Sequence, residues 1–146
     1  MTERSVACFA GALGLALGLA LANGAFAQSK PLYERLGGTP AIEMVVGQFL
    51  ANVGADNRIN QRFAKTDMAK LKKNLVDQIC EASGGPCKYA GKDMPTAHKG
   101  MKIGADEFNW TGEHLASALD TFKVPKAEKD ELLAVIGSLQ GQIVNQ

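Results

Sequence analysis

No block of like charge runs through this 146-residue chain: 16 basic and 15 acidic residues leave a formal net charge of +1. That balance supplies no electrostatic footprint for nucleic acid or any other polyanion. Aromatic residues amount to only 6%, with one tryptophan, and there are three cysteines and two histidines. Phosphate-cradling and dinucleotide-binding glycine motifs are missing, and so is the G-x-S-x-G nucleophile turn. Neither C-x-x-C nor H-x-x-x-H occurs, which removes the usual frames of a zinc site. Nowhere do apolar and polar residues alternate with period two, so strands are not expected. The chain is also too short for a two-domain enzyme or a large barrel.

The apolar residues that are present are unevenly spread. Residues 6–27 are almost wholly apolar or glycine, with Arg4 ahead of them and Ala25-Phe26-Ala27 behind. A charged start, an apolar run and an A-x-A site are the three parts of a secretory signal peptide. Residues 1–27 are therefore expected to be removed after Ala27, leaving a domain of residues 28–146 in the periplasm or outside the cell, without a stable membrane anchor. A retained single span is the alternative, because residues 6–22 approach membrane-crossing length. Cys8 precedes the apolar run instead of closing it, which argues against lipid attachment. Cys80 and Cys87 then remain as an even pair in an oxidising compartment, and a disulfide is expected between them. A short loop of this kind contributes about 2 kcal/mol. A metal site built from both cysteines and a histidine is the competing reading.

Periodicity in the remainder is helical. Leu32 to Leu36 make about one turn, stopped by Gly37-Gly38. Thr39 is expected to cap the next helix, with Pro40 at its first position and Ile42, Val45, Val46, Phe49, Leu50 and Val53 on one face. A further helix opens at Thr66 or Asp67 and carries Met68, Leu71, Leu75, Ile79 and Ala82 on its apolar side. Residues 106–122 and 126–143 supply two more, separated at Pro125. The fold class is all-α, with four substantial helices.

Residues 84–104, GGPCKYAGKDMPTAHKGMKIG, break this pattern. An irregular stretch of such length inside a small domain usually serves a site. His98 stands in it, on a short run that Pro95 can start as one helical turn. A lone histidine is more often structural than a ligand, but a constrained loop raises the chance that His98 is a ligand. His114, beside Leu115 in a predicted helix, reads as an ordinary helix histidine.

Taken together, Leu32-Tyr33-Glu34-Arg35-Leu36-Gly37-Gly38, Phe63, Thr66-Asp67-Met68, Leu71, Gly84-Gly85-Pro86, Tyr89, Gly91, Met94, Ala97-His98 and Phe108 resemble the pattern of a group I truncated haemoglobin. The resemblance spans residues 32–144. It implies a truncated globin-like two-over-two helical sandwich in which the ligand-bearing helix is reduced to a loop and one turn. It also implies haem b, non-covalent because C-x-x-C-H is absent, with His98 as the proximal iron ligand. Phe63 and Phe49 are then expected against the haem, with Leu50, Leu71, Leu75 and Met94 also lining its pocket and Lys72 and Lys73 as candidate partners for the propionates.

Many relatives carry a tyrosine where this chain has Leu50, and a glutamine where it has Leu75. Gln78 is therefore the candidate polar group on the distal side, with Tyr89 as the other possibility. The implied function is reversible binding of dioxygen, nitric oxide or carbon monoxide. A haem-dependent redox activity in the periplasm, of nitric-oxide dioxygenase or peroxidase type, is the alternative. Implied partners are the gas and a reductase, with a monomer or weak homodimer as the assembly. From a different class comes a haem-free, disulfide-stapled helical module that docks a partner in an apolar groove.

Overall fold

In the computed structural model, residues 30–146 are described, and the expected leader and its cleavage site lie outside them. The first helix, α1 (Leu32–Arg35), is a single turn tied to a later part of the chain by the Tyr33 amide, which donates to the Ser83 carbonyl at 2.8 Å. Gly37 and Gly38 follow with φ of 96° and 74°, a left-handed reversal that side-chain-bearing residues resist. Helix α2 (Gly38–Ala55) starts inside that reversal, so Thr39 does not cap it as the sequence led one to expect. Thr39 lies instead in the first turn, where its hydroxyl meets the Tyr33 hydroxyl at 3.0 Å. Pro40 is tolerated there because amides of the first turn have no helical acceptor to lose.

The predicted α2 stripe is buried in full: Ile42, Val45, Val46, Phe49, Leu50 and Val53. Each such side chain contributes about 1.5–3 kcal/mol on leaving water. After α2, a short 3-10 turn (Asn60–Phe63) that sequence periodicity did not show delivers Phe63. Helix α3 (Met68–Ala82) is capped by Asp67, which accepts the Lys70 amide at 3.0 Å. Its buried residues are Val76, Ile79 and Cys80, whereas Met68 and Ala82 are exposed. The expected stripe of α3 is thus divided, with its first half overhanging a cavity and its second half packed in the core.

Cys80 and Cys87 form the expected disulfide. The turn it encloses depends on Gly85, whose amide donates to the Cys80 carbonyl at 2.8 Å. A Cβ there would lie 2.5 Å from the Tyr33 ring and 2.8 Å from the Cys80 carbonyl oxygen.

Beyond the loop come α4 (Met94–His98) and α5 (Ala105–Thr121), the latter one residue earlier than expected and leaving Phe122 39% exposed. Helix α6 (Lys126–Gly137) follows Pro125. The sequence predicted one helix to residue 143, but the chain breaks at Ser138-Leu139 and resumes as α7 (Gln140–Ile143). Gly137 and Gly141 weaken helix propensity on either side, and the Ser138 hydroxyl donates to the Val135 carbonyl at 2.7 Å, taking up an acceptor within the helix end.

α2 packs against both α3 and α5, and α5 packs against α6, which gives the all-α two-over-two arrangement. The core lies between the pairs, with Val46, Val53, Leu119 and Leu132 almost wholly excluded from solvent. No helix among the described residues is long and apolar enough to cross a membrane. Replacing Gly85 with alanine should cost about 1–3 kcal/mol through overpacking against backbone, seen as a lower thermal midpoint in non-reducing buffer. An unchanged midpoint would mean that the turn has room for a methyl group.

Candidate cofactor site

A cavity opens between the helix pairs and encloses about 960 Å³ of space, its mouth to solvent included. α2 contributes Val46 and Phe49, the 3-10 turn Phe63, and α3 Leu71, Leu75, Gln78 and Ile79. Met94 and His98 come from α4, and Phe108, Thr111 and Leu115 from α5. Ile136 of α6, Leu139 at the break, Ile143 of α7 and Ile103 before α5 complete the wall.

α4 is short enough to need fixing at both ends. Asp93 caps it by accepting the Thr96 amide at 2.8 Å, and Pro95 sits in its first turn. Those Thr96 hydrogen bonds hold the Asp93 carboxyl below its ordinary pKa. At the other end, His98 Nδ1 lies 2.8 Å from the Met94 carbonyl oxygen. A carbonyl only accepts, so Nδ1 carries the proton in this contact and the neutral ring keeps its lone pair on Nε2. Nε2 has no hydrogen-bond partner among the described residues.

The flanking loop is anchored by elements far away in sequence. Cys87 is bonded to Cys80 of α3, and the adjoining Glu81 accepts the Tyr89 amide at 3.0 Å. That amide is the chief reason the Glu81 carboxyl lies below its usual pKa, and Lys88 adds to it. After His98, Arg62 donates to the Met101 carbonyl at 2.9 Å and forms a forked pair with Glu107 at 2.7 and 2.9 Å. Glu107 also accepts the Gly104 amide at 2.9 Å. The Arg62 guanidinium, then the Gly104 amide, hold the Glu107 carboxyl below its ordinary pKa. The C-terminal segment completes the frame through a parallel bridge between Ile103 and Val144.

The residues singled out from the sequence fall into three groups. His98, Phe63, Phe49, Leu71, Leu75, Met94 and Gln78 all line the cavity. Leu50 is buried in the core without lining it. Lys72 and Lys73 are not in the lining: Lys73 pairs with Asp77, and the Lys72 amine lies over Gly47 on the other side of α2.

Of the two polar candidates, Gln78 donates its amide to the Met94 sulfur at 3.6 Å, and Tyr89 spends its hydroxyl on the Lys92 carbonyl at 2.7 Å. His114 lies outside the cavity with Nε2 2.6 Å from Asp56, whose carboxyl the neighbouring Arg58 holds far below the carboxylate range. Ile103, Ile136, Leu139 and Ile143 were not anticipated as wall residues. The last three lie in register on the predicted final helix, so their shared face was legible, but not that this face meets the cavity.

Comparison with known proteins places the chain among globins. The family model for bacterial-like globins matches residues 31–145. A group 1 truncated hemoglobin, GlbN, of Mycolicibacterium paratuberculosis is 36% identical over 117 residues, covering 80% of this chain and 86% of that protein. Another, from Tetrahymena pyriformis, is 38% identical over 105 residues, covering 72% of this chain and 87% of that protein. The crystal structure of truncated hemoglobin from Tetrahymena pyriformis in its Fe(III) form superposes with a TM-score of 0.78 at 34% identity, covering 80% of this chain and all of that one.

The Glu107 network predicts an acid dependence. A carboxyl whose folded pKa is depressed stabilises the fold fully above its unfolded value, about 4.3, and loses that contribution as pH falls through the folded value. Near neutrality, Glu107→Gln should therefore unfold at lower denaturant than the parent, and the gap should close below about pH 4.3. A gap independent of pH would mean that the charge of Glu107 plays no part.

Proposed function

The chain belongs to the bacterial-like globin family, and from that premise we propose that it is a group 1 truncated haemoglobin that holds haem b through His98 and reversibly binds a diatomic gas. The observation that carries this reading is the imidazole itself, with Nδ1 engaged by the Met94 carbonyl and Nε2 left free on a residue that lines an apolar cavity. A histidine that ligates a metal commonly donates its other N–H to a carbonyl, which fixes the tautomer and the ring plane.

The walls fit the group. Phe49, Phe63, Leu71, Leu75 and Leu115 offer the apolar faces that a flat macrocycle needs, and Met94 and Phe108 complete the lining near His98 in sequence. Haem b, when bound, supplies the iron to which the gas attaches. His98 contributes the lone pair on Nε2, the loop anchors keep the ring in place, and the aliphatic side chains of α2 and α3 exclude water from the gas side. Burial of these walls against haem also stabilises the folded chain by mass action.

The leader read from residues 1–27 supports export, and with it a role as a gas binder at the cell envelope or outside the cell. The disulfide between Cys80 and Cys87 fits an oxidising compartment.

Reconstitution with haemin tests the reading. The parent protein should take up one haem and give a Soret band that shifts on reduction and again under carbon monoxide. His98→Ala should lose or displace that band, and added imidazole should restore it by filling the vacated position. Unchanged ferrous and carbonyl spectra in His98→Ala would assign the axial ligand to another residue.

A further inference from the structure

We infer that the gas site proposed above discriminates against dioxygen and in favour of diatomics that need no hydrogen bond, with carbon monoxide as the probe, because α2 and α3 line it with hydrocarbon and the one remaining side-chain donor, Gln78, is turned to Met94 on the His98 helix. The inference rests on the proposed gas-binding role and deepens it.

Among the cavity-lining side chains only Gln78, His98 and Thr111 carry polar hydrogens. The single hydroxyl hydrogen of Thr111 goes to the Glu107 carbonyl at 2.8 Å. His98 donates through Nδ1 to Met94, and Nε2 is the proposed iron ligand. Gln78 carries two amide hydrogens and turns its nitrogen to the sulfur of Met94, so the one side-chain donor left on the walls is drawn toward the helix that carries His98. What α2 and α3 otherwise offer to the cavity is hydrocarbon: Val46, Phe49, Leu71, Leu75 and Ile79. These two helices pack on each other, whereas α4 packs on α7, so the imidazole and the aliphatic wall come from separate parts of the fold.

The two gases differ in what such a wall does to them. Dioxygen becomes polar on coordination, with negative charge on its outer atom, and gains from a donated hydrogen bond; carbon monoxide stays nearly apolar and gains little. A wall without donors therefore shortens the residence of dioxygen and leaves that of carbon monoxide almost untouched. Beyond their first turns, the backbone amides of α2 and α3 are engaged within the helices and offer no substitute.

The test uses the haem-loaded ferrous protein, with gas release followed by rapid mixing and the C–O stretch by infrared absorption. Leu75→Gln and, independently, Leu71→Gln each place a donor on the aliphatic wall. In at least one of them dioxygen release should slow by about 10- to 150-fold, the worth of one charge-assisted hydrogen bond. Carbon monoxide release should barely change, while the C–O stretch moves to lower frequency. In the parent protein that stretch should stand at the high frequency of an apolar surrounding.

Three results would overturn the inference: a parent protein that already releases dioxygen as slowly as the glutamine variants, a low-frequency C–O stretch in the parent, or faster dioxygen release on Gln78→Leu. The parent's own C–O stretch decides even if neither glutamine variant folds. Failure of this inference leaves a haem protein that binds both gases with a donor in its pocket. Failure of the underlying function instead gives no histidine-ligated haem spectrum at all.

Discussion

The 2.8 Å hydrogen bond from His98 Nδ1 to the Met94 carbonyl depends on the geometry of a five-residue helix, and the chemistry of the cavity in turn depends on that bond. It selects the tautomer, leaves Nε2 with a lone pair, and sets the plane in which that lone pair can point. An isolated helix of this length does not persist in water, because one turn fixes several dihedral angles for a single backbone hydrogen bond. The ring therefore owes its position to what surrounds α4, beginning with the Asp93 cap and Pro95 in the first turn.

The wider support comes from every quarter of the molecule. α3 reaches the loop through a covalent link at Cys87 and a carboxylate at Glu81, before α4. The 3-10 turn and α5 reach it after α4 through Arg62 and Glu107, and the last residues run alongside Ile103. Arg62 is 39% exposed and Glu107 20%, so as an ion pair they contribute little by Coulomb attraction alone. Their value lies in geometry: one guanidinium holds both the Met101 carbonyl and the carboxylate that caps Gly104. An irregular segment with few apolar residues can thus be ordered without a core of its own.

The cavity follows from the same division of labour. The second half of α3 packs into the core through Val76, Ile79 and Cys80, while its first half stands off and leaves Leu71 and Leu75 facing open space. Of the polar groups nearest that space, His98 and Thr111 turn to backbone carbonyls and Gln78 turns to the Met94 thioether. The rest of the wall is hydrocarbon.

The helical class, the α2 stripe, the disulfide and the loop on which His98 stands were all legible in the sequence, since each rests on local spacing, on cysteine parity or on a run of residues too irregular to pack. Thr39 as a cap and a continuous final helix were read from equally local signals, and both gave way to context. Two left-handed glycines moved the start of α2, and a serine between glycines accompanies the break that ends α6 at Gly137. That Lys72 and Lys73 stay out of the cavity lining, where the Gln78 amide turns and which residues hold the loop are matters of approach between separate segments. Side-chain spacing along one helix carries no information about such meetings. The sequence determined the elements and the one available imidazole, and the tertiary structure alone decided which nitrogen of it is free and how dry its surroundings are, because both depend on contacts that exist only once the helices have packed.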